Sequence, residues 1–126
     1  FLKMRYLLHH IFIFFCLSCA ALKSTETDPF IGKYKMTVLG VDQVGDIPAI
    51  LTITKDKKLY YSDVNYKIND EERSLDIIST YSIDSSTLIV ESLIDGSQID
   101  FELNFEGSVF TGTAGGYYDI EGNKIE

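Results

Sequence analysis

The sequence predicts an all-β protein: eight short antiparallel strands forming an up-and-down β-barrel, or a flattened version of one. Three observations carry this. Beyond Phe30, apolar residues recur with period two, the spacing of strands that bury one face. Turn-forming clusters interrupt the alternation at strand-like intervals. No window after Phe30 carries a helical stripe.

The first strand is expected at 32–39, where Tyr34, Met36 and Val38 share one face and Lys33, Lys35 and Thr37 the other. A second, at 48–55, turns Leu51 and Ile53 inward, and Lys55-Asp56-Lys57-Lys58 leads to a third at 58–67. There Tyr60 shares its face with Val64, Tyr66 and Ile68, while Tyr61 sits with Asp63 and Asn65. Asn69-Asp70-Glu71-Glu72 precedes a fourth strand at 74–83, and Asp84-Ser85-Ser86 a fifth at 87–94. Asp95-Gly96 is the strongest turn signal, favouring a tight type I′ hairpin because glycine accepts positive φ. The sixth strand, 98–106, alternates most strictly: Ile99, Phe101, Leu103 and Phe105 point one way, Gln98, Asp100, Glu102, Asn104 and Glu106 the other. Glu106-Gly107-Ser108 leads to a seventh at 108–114, and an eighth at 117–121 ends at the turn signal Glu121-Gly122-Asn123. Gly112 interrupts a β-prone run, as glycine does where a strand bends or a neighbouring backbone comes close. The alternative is that Gly112, Gly115 and Gly116 together form a loop.

Ahead of these strands lies an address rather than a fold. Lys3, Met4 and Arg5 lead into an apolar run from Tyr6 to Leu22, the organisation of an export signal. Cys19 follows Leu17-Ser18 and precedes Ala20-Ala21, which resembles the lipobox of bacterial lipoproteins, although Cys16 stands where that motif prefers Leu. Cys19 is therefore the candidate lipidation site. Simple secretion after cleavage and an uncleaved anchor are the alternatives. The expected division is a signal peptide at 1–18, a lipidated Cys and flexible tether at 19–29, and one β-barrel domain at 30–126. The protein is then exported and held in the cell envelope, on the periplasmic side or at the surface.

Gly32-Lys33-Tyr34 resembles the Gly-x-Trp opening of lipocalin-type and other calycin barrels, with Tyr34 in the Trp place. The stretch from Asp28 to Tyr34, Gly45-Asp46-Ile47-Pro48 leading into Leu51-Thr52-Ile53, and Phe110-Thr111-Gly112-Thr113 are together similar to small lipocalin-like lipoproteins of the Bacteroides group. The likeness implies a calycin-like (lipocalin-like) barrel and no catalytic residues.

Composition narrows the chemistry. Lys3 and Arg5 belong to the address, so the other nine Lys/Arg stand against all 19 Asp/Glu, a balance that repels nucleic acid. Both histidines, His9 and His10, and also Cys16 lie in the apolar run, which removes His-based triads, most zinc sites and any disulfide framework from the domain. Asp63, Asp76 and Glu91 are available as carboxylates for glycoside hydrolysis, but acidic residues on solvent faces are expected in any such domain. Neither Asp70-Glu71-Glu72 nor Asp42-x-x-x-Asp46 matches an ordered calcium loop. No helix follows the glycines of 112–116 to complete a phosphate site. The expectation is no enzyme, no metal and no cofactor.

The candidate interior consists of Tyr34, Met36, Leu51, Ile53, Phe101, Leu103 and Phe105, which either line a cavity for a small hydrophobic ligand or fill the core. The expected function is a non-catalytic envelope lipoprotein, attached to the membrane through a lipid, that binds such a ligand. The alternative is a protein–protein module, an accessory subunit or inhibitor, engaging an envelope partner through an exposed strand edge or loop rim.

Overall fold

A computed structural model describes residues 28–126. The export segment 1–18, Cys19 and the tether as far as residue 27 lie outside the described residues. The described chain runs through β1 (Gly32–Val41), β2 (Gly45–Asp56), β3 (Leu59–Ile68), β4 (Glu71–Ser74), β5 (Asp76–Ser82), β6 (Thr87–Ile94), β7 (Ser97–Glu106), β8 (Val109–Ala114) and β9 (Tyr118–Lys124). Neighbours pair in the order β2-β1-β9-β8-β7-β6-β5-β3-β4, and β2 also pairs with β3. That last pairing closes the ring. Eight antiparallel strands make the barrel, and β4 is an extra strand laid on the edge of β3.

Two-residue turns make the ladder compact. Asp95-Gly96 has both φ values positive (51° and 79°), the type I′ geometry its sequence favours. Asn69-Asp70 (52° and 64°) and Lys57-Lys58 (50° and 71°) adopt the same form, the lysines without the small polar side chains that ease it.

Besides shifts of one to three residues at other strand ends, two expected assignments change. The strand expected at 74–83 becomes β4 and β5, because the Asn69-Asp70 turn lets pairing with β3 begin at Glu71. Between the Asn65↔Ser74 and Tyr60↔Thr80 pairs the register slips by one residue. Leu75 lies in this break, with its side chain in the core and its N–H donating to the Val64 carbonyl at 2.8 Å. The other correction is Glu121-Gly122-Asn123, which continues β9 instead of turning. Gly122 is there because the Phe110 ring lies over it; a Cβ at Gly122 would come 2.2 Å from that ring.

Side-chain size divides the interior. β1, β7 and β8 send Tyr34, Phe105 and Phe110 toward one end, where Phe30 enters from the chain before β1. Phe105 packs against Phe30, Tyr34 and Phe110 with ring centroids 5.1, 5.4 and 5.0 Å away. The Tyr34 hydroxyl donates to the Phe30 carbonyl at 2.9 Å, satisfying a buried polar group; burial, with Asp28 nearby, raises its pKa. This end of the barrel is solid.

Asp28 fastens the entering chain. Its carboxylate accepts from the Phe30 N–H at 2.9 Å, from Lys55 Nζ at 3.1 Å and from the Tyr60 hydroxyl. Burial alone would raise the Asp28 pKa, but the hydrogen bonds from Tyr60, Phe30 and Lys55 outweigh it and hold it below 3.8. The folded value lies below the unfolded one, so the stabilisation is complete above pH 3.8 and is lost as pH falls through the lower folded value. Asp28→Asn should lower stability at neutral pH by about 1 kcal/mol. Urea unfolding as a function of pH should show this gap closing in acid; a gap that persists there would remove the carboxylate from the explanation.

Candidate functional site

The opposite end is built from smaller residues. Running from the solid end outward, the inward positions of β1 read Tyr34, Met36, Val38, and those of β8 read Phe110, Gly112, Ala114. With Ala49 on β2 and Val64 on β3, these positions leave space that aromatic rings fill at the other end. The result is a cavity of about 690 Å³, within the range of about 300–1,000 Å³ typical of small-molecule sites.

Its walls are Met36, Val38, Ala49, Val64, Leu75, Phe101 and Ala114. The mouth is formed by the turns joining β1–β2, β3–β4, β6–β7 and β8–β9, which contribute Val41, Val44, Ile68, Ile94 and Asp95, and Gly115, Tyr117 and Tyr118. Tyr66, Arg73, Gln98, Ile47 and Ile99 complete the lining. Polar side chains therefore gather at the rim, while the walls are apolar.

Two sets of small hydroxyls inside the barrel are already engaged. Ser92, fully buried, donates to the Ile99 carbonyl at 2.7 Å, and Ser62 and Thr80 share a hydrogen bond of 2.6 Å. Among the described residues no buried side-chain nitrogen or oxygen lacks a partner. The seven wall residues carry no side-chain nitrogen or oxygen, so the depth of the cavity presents an occupant with apolar surface.

The rim is more structured. Tyr117 and Tyr118 pack edge to face, centroids 4.9 Å apart, and Tyr117 is 76% exposed. The Tyr118 hydroxyl donates to Asp42 at 3.0 Å, tying the β8–β9 turn to the β1–β2 turn; this bond raises the Tyr118 pKa. Arg73 faces the mouth across from Tyr66, its pairing partner on β3, and its guanidinium lies 3.3 Å from the Glu71 carboxylate.

Of the seven interior residues singled out by alternation, Met36 and Phe101 line the cavity, each the deepest lining residue on its strand. Tyr34, Leu51, Ile53, Leu103 and Phe105 lie nearer the solid end and are packed on all sides. Alternation assigns a face but not a depth. Alternation alone does not place the rim residues Arg73, Tyr117 and Tyr118, because each lies at or close to a turn, where the pattern lapses. Their signal was available in the connectivity: in an up-and-down barrel every second turn lies at the same end.

The carboxylates considered for chemistry do not converge. Asp63 is on the outside of β3, Glu91 accepts from Ser79 and from Gln98 on the outside of β6 and β7, and Asp76 is exposed at the start of β5. Glu71 pairs with Arg73. No protein-family model, curated protein or solved structure matches the chain.

Proposed function

We propose that the chain is a non-catalytic, lipid-anchored protein of the cell envelope, with a lipocalin-like barrel that binds a small apolar ligand in its open-end cavity. The observation that carries this reading is the division of the interior: one half packed with rings, the other half open and walled by apolar, mostly aliphatic side chains. Desolvation of apolar ligand surface supplies the affinity, and the rim groups orient the ligand. Docking through an exposed strand edge has less support. Closure removes barrel edges, and the free edge of β4 belongs to Glu71, Glu72, Arg73 and Ser74, a charged strand poorly suited to further pairing.

Filling the cavity tests the binding reading. Nile red, an uncharged fluorophore, should bind with a blue-shifted emission, and Ala114→Phe should weaken that binding by about tenfold or more while leaving the far-ultraviolet circular dichroism unchanged. Ala49→Leu, a smaller intrusion from β2, should weaken it less. Absence of wild-type binding, or identical binding in both variants, would put the ligand elsewhere and overturn the reading.

Export and anchoring rest on Leu17-Ser18-Cys19 and the apolar run before it. Cys19→Ala should abolish incorporation of labelled palmitate and leave an uncleaved precursor. Undiminished labelling would exclude Cys19 as the acceptor.

A further inference from the structure

We infer that the cavity selects an amphiphile with a cationic head, an amine or quaternary ammonium, held at the rim above an apolar tail. This rests on the binding reading above and adds the chemistry of the ligand's polar end.

Three features lead there. The wall residues carry no side-chain nitrogen or oxygen, so any polar end of the ligand must stay at the mouth. The turns that build the mouth are acidic: Asp42, Asp46, Asp70, Glu71, Glu72 and Asp95 are all exposed there, against Lys67 and Arg73. Arg73 is the cation that could favour an anionic head, but its guanidinium already faces the Glu71 carboxylate at 3.3 Å. A carboxylate-headed ligand would have to compete with Glu71 and approach through a field of like charge.

The aromatic residues favour a cation over an uncharged head. Tyr66, Tyr117 and Tyr118 all line the site, and ring faces attract ammonium groups through their quadrupole. The solid end contrasts with this rim. There Lys55, Lys57 and Lys58 around the β2–β3 turn, with Lys33 and Lys124 at the ends of β1 and β9, offset Asp28, Asp56, Asp84, Glu106 and Glu126. Opposite charges thus roughly balance at the solid end, while acidic residues predominate at the cavity mouth.

The test uses three amphiphiles of equal tail length at monomeric concentrations: decyltrimethylammonium, decanol and decanoate, each displacing Nile red. At low salt the cation should bind about tenfold more tightly than the anion, with decanol between them. In about 0.5 M salt the gap should shrink, because exposed rim charges are screened. Glu71→Gln removes one rim charge and frees Arg73, so it should narrow the gap, whereas Arg73→Gln should widen it. Equal affinities, or tighter binding of decanoate, would overturn the head-group assignment while decanol binding keeps the cavity reading intact. Failure of all three and of Nile red would instead overturn the cavity reading itself.

Discussion

Replacing Phe105 with Ala is expected to cost about 3–5 kcal/mol, a large share of the roughly 5–15 kcal/mol that stabilises a small domain. The residue is 8% exposed and its ring touches three others, so truncation removes a packed group and leaves a hole in the solid half. Phe30 and Tyr34 come from the start of the barrel and Phe110 from β8, and all three cannot collapse into that hole. Phe101, four residues earlier on the same face of β7, faces the existing cavity. Its truncation loses the transfer free energy of the ring, about 1.5–3 kcal/mol, and enlarges a space that is already open. Glu102→Ala, on the outer face between them, should cost less than about 0.5 kcal/mol. Urea unfolding of the three variants gives the ranking directly. A Phe101→Ala cost equal to that of Phe105→Ala would mean that the two ends of the barrel are equally filled.

The same comparison explains what could be read from the sequence. Strand parity is legible in β1, β2 and β7, because period-two alternation is a local property: Tyr34, Met36, Leu51, Ile53, Phe101, Leu103 and Phe105 all point inward or line the cavity. Depth along the barrel is not local. It depends on which end each hairpin occupies and on the stagger between strands, so five of those seven residues lie in the packed half rather than on the cavity wall. Barrel closure was likewise non-local. It depends on β9 pairing with β1, through Thr37↔Glu121 and its neighbours, and on β2 pairing with β3. The extra strand β4 went unseen because its four residues are all polar and carry no alternation.

Substituting Gly112 should be the most damaging change that removes no side chain. Its position in β8 faces inward between Leu103 of β7 and Ile120 of β9. An added Cβ would lie 1.9 Å from the Glu102 carbonyl oxygen and 3.2 Å from the Leu103 Cα. Both obstacles are backbone, so no rotamer change relieves them, and β7 and β8 must separate. Gly96 makes a fair control. Nothing lies within 4 Å of a Cβ there, and its demand for glycine comes from a φ of +79° in the hairpin. Gly96→Ala should therefore cost about 1–2 kcal/mol through conformation alone, whereas Gly112→Ala should cost about 3 kcal/mol or more, at or beyond the upper end of overpacking penalties. The damage should also spread toward the site. Phe101 and Ala114, paired two positions nearer the mouth, are both cavity walls. Amide exchange should accelerate at Glu102, Leu103 and Ala114 in Gly112→Ala, and Nile red affinity should fall under conditions where the variant is still folded. Equal costs at Gly96 and Gly112 would mean that the β7–β8 seam has room the structure denies it, and that close strand approach is not what requires glycine there.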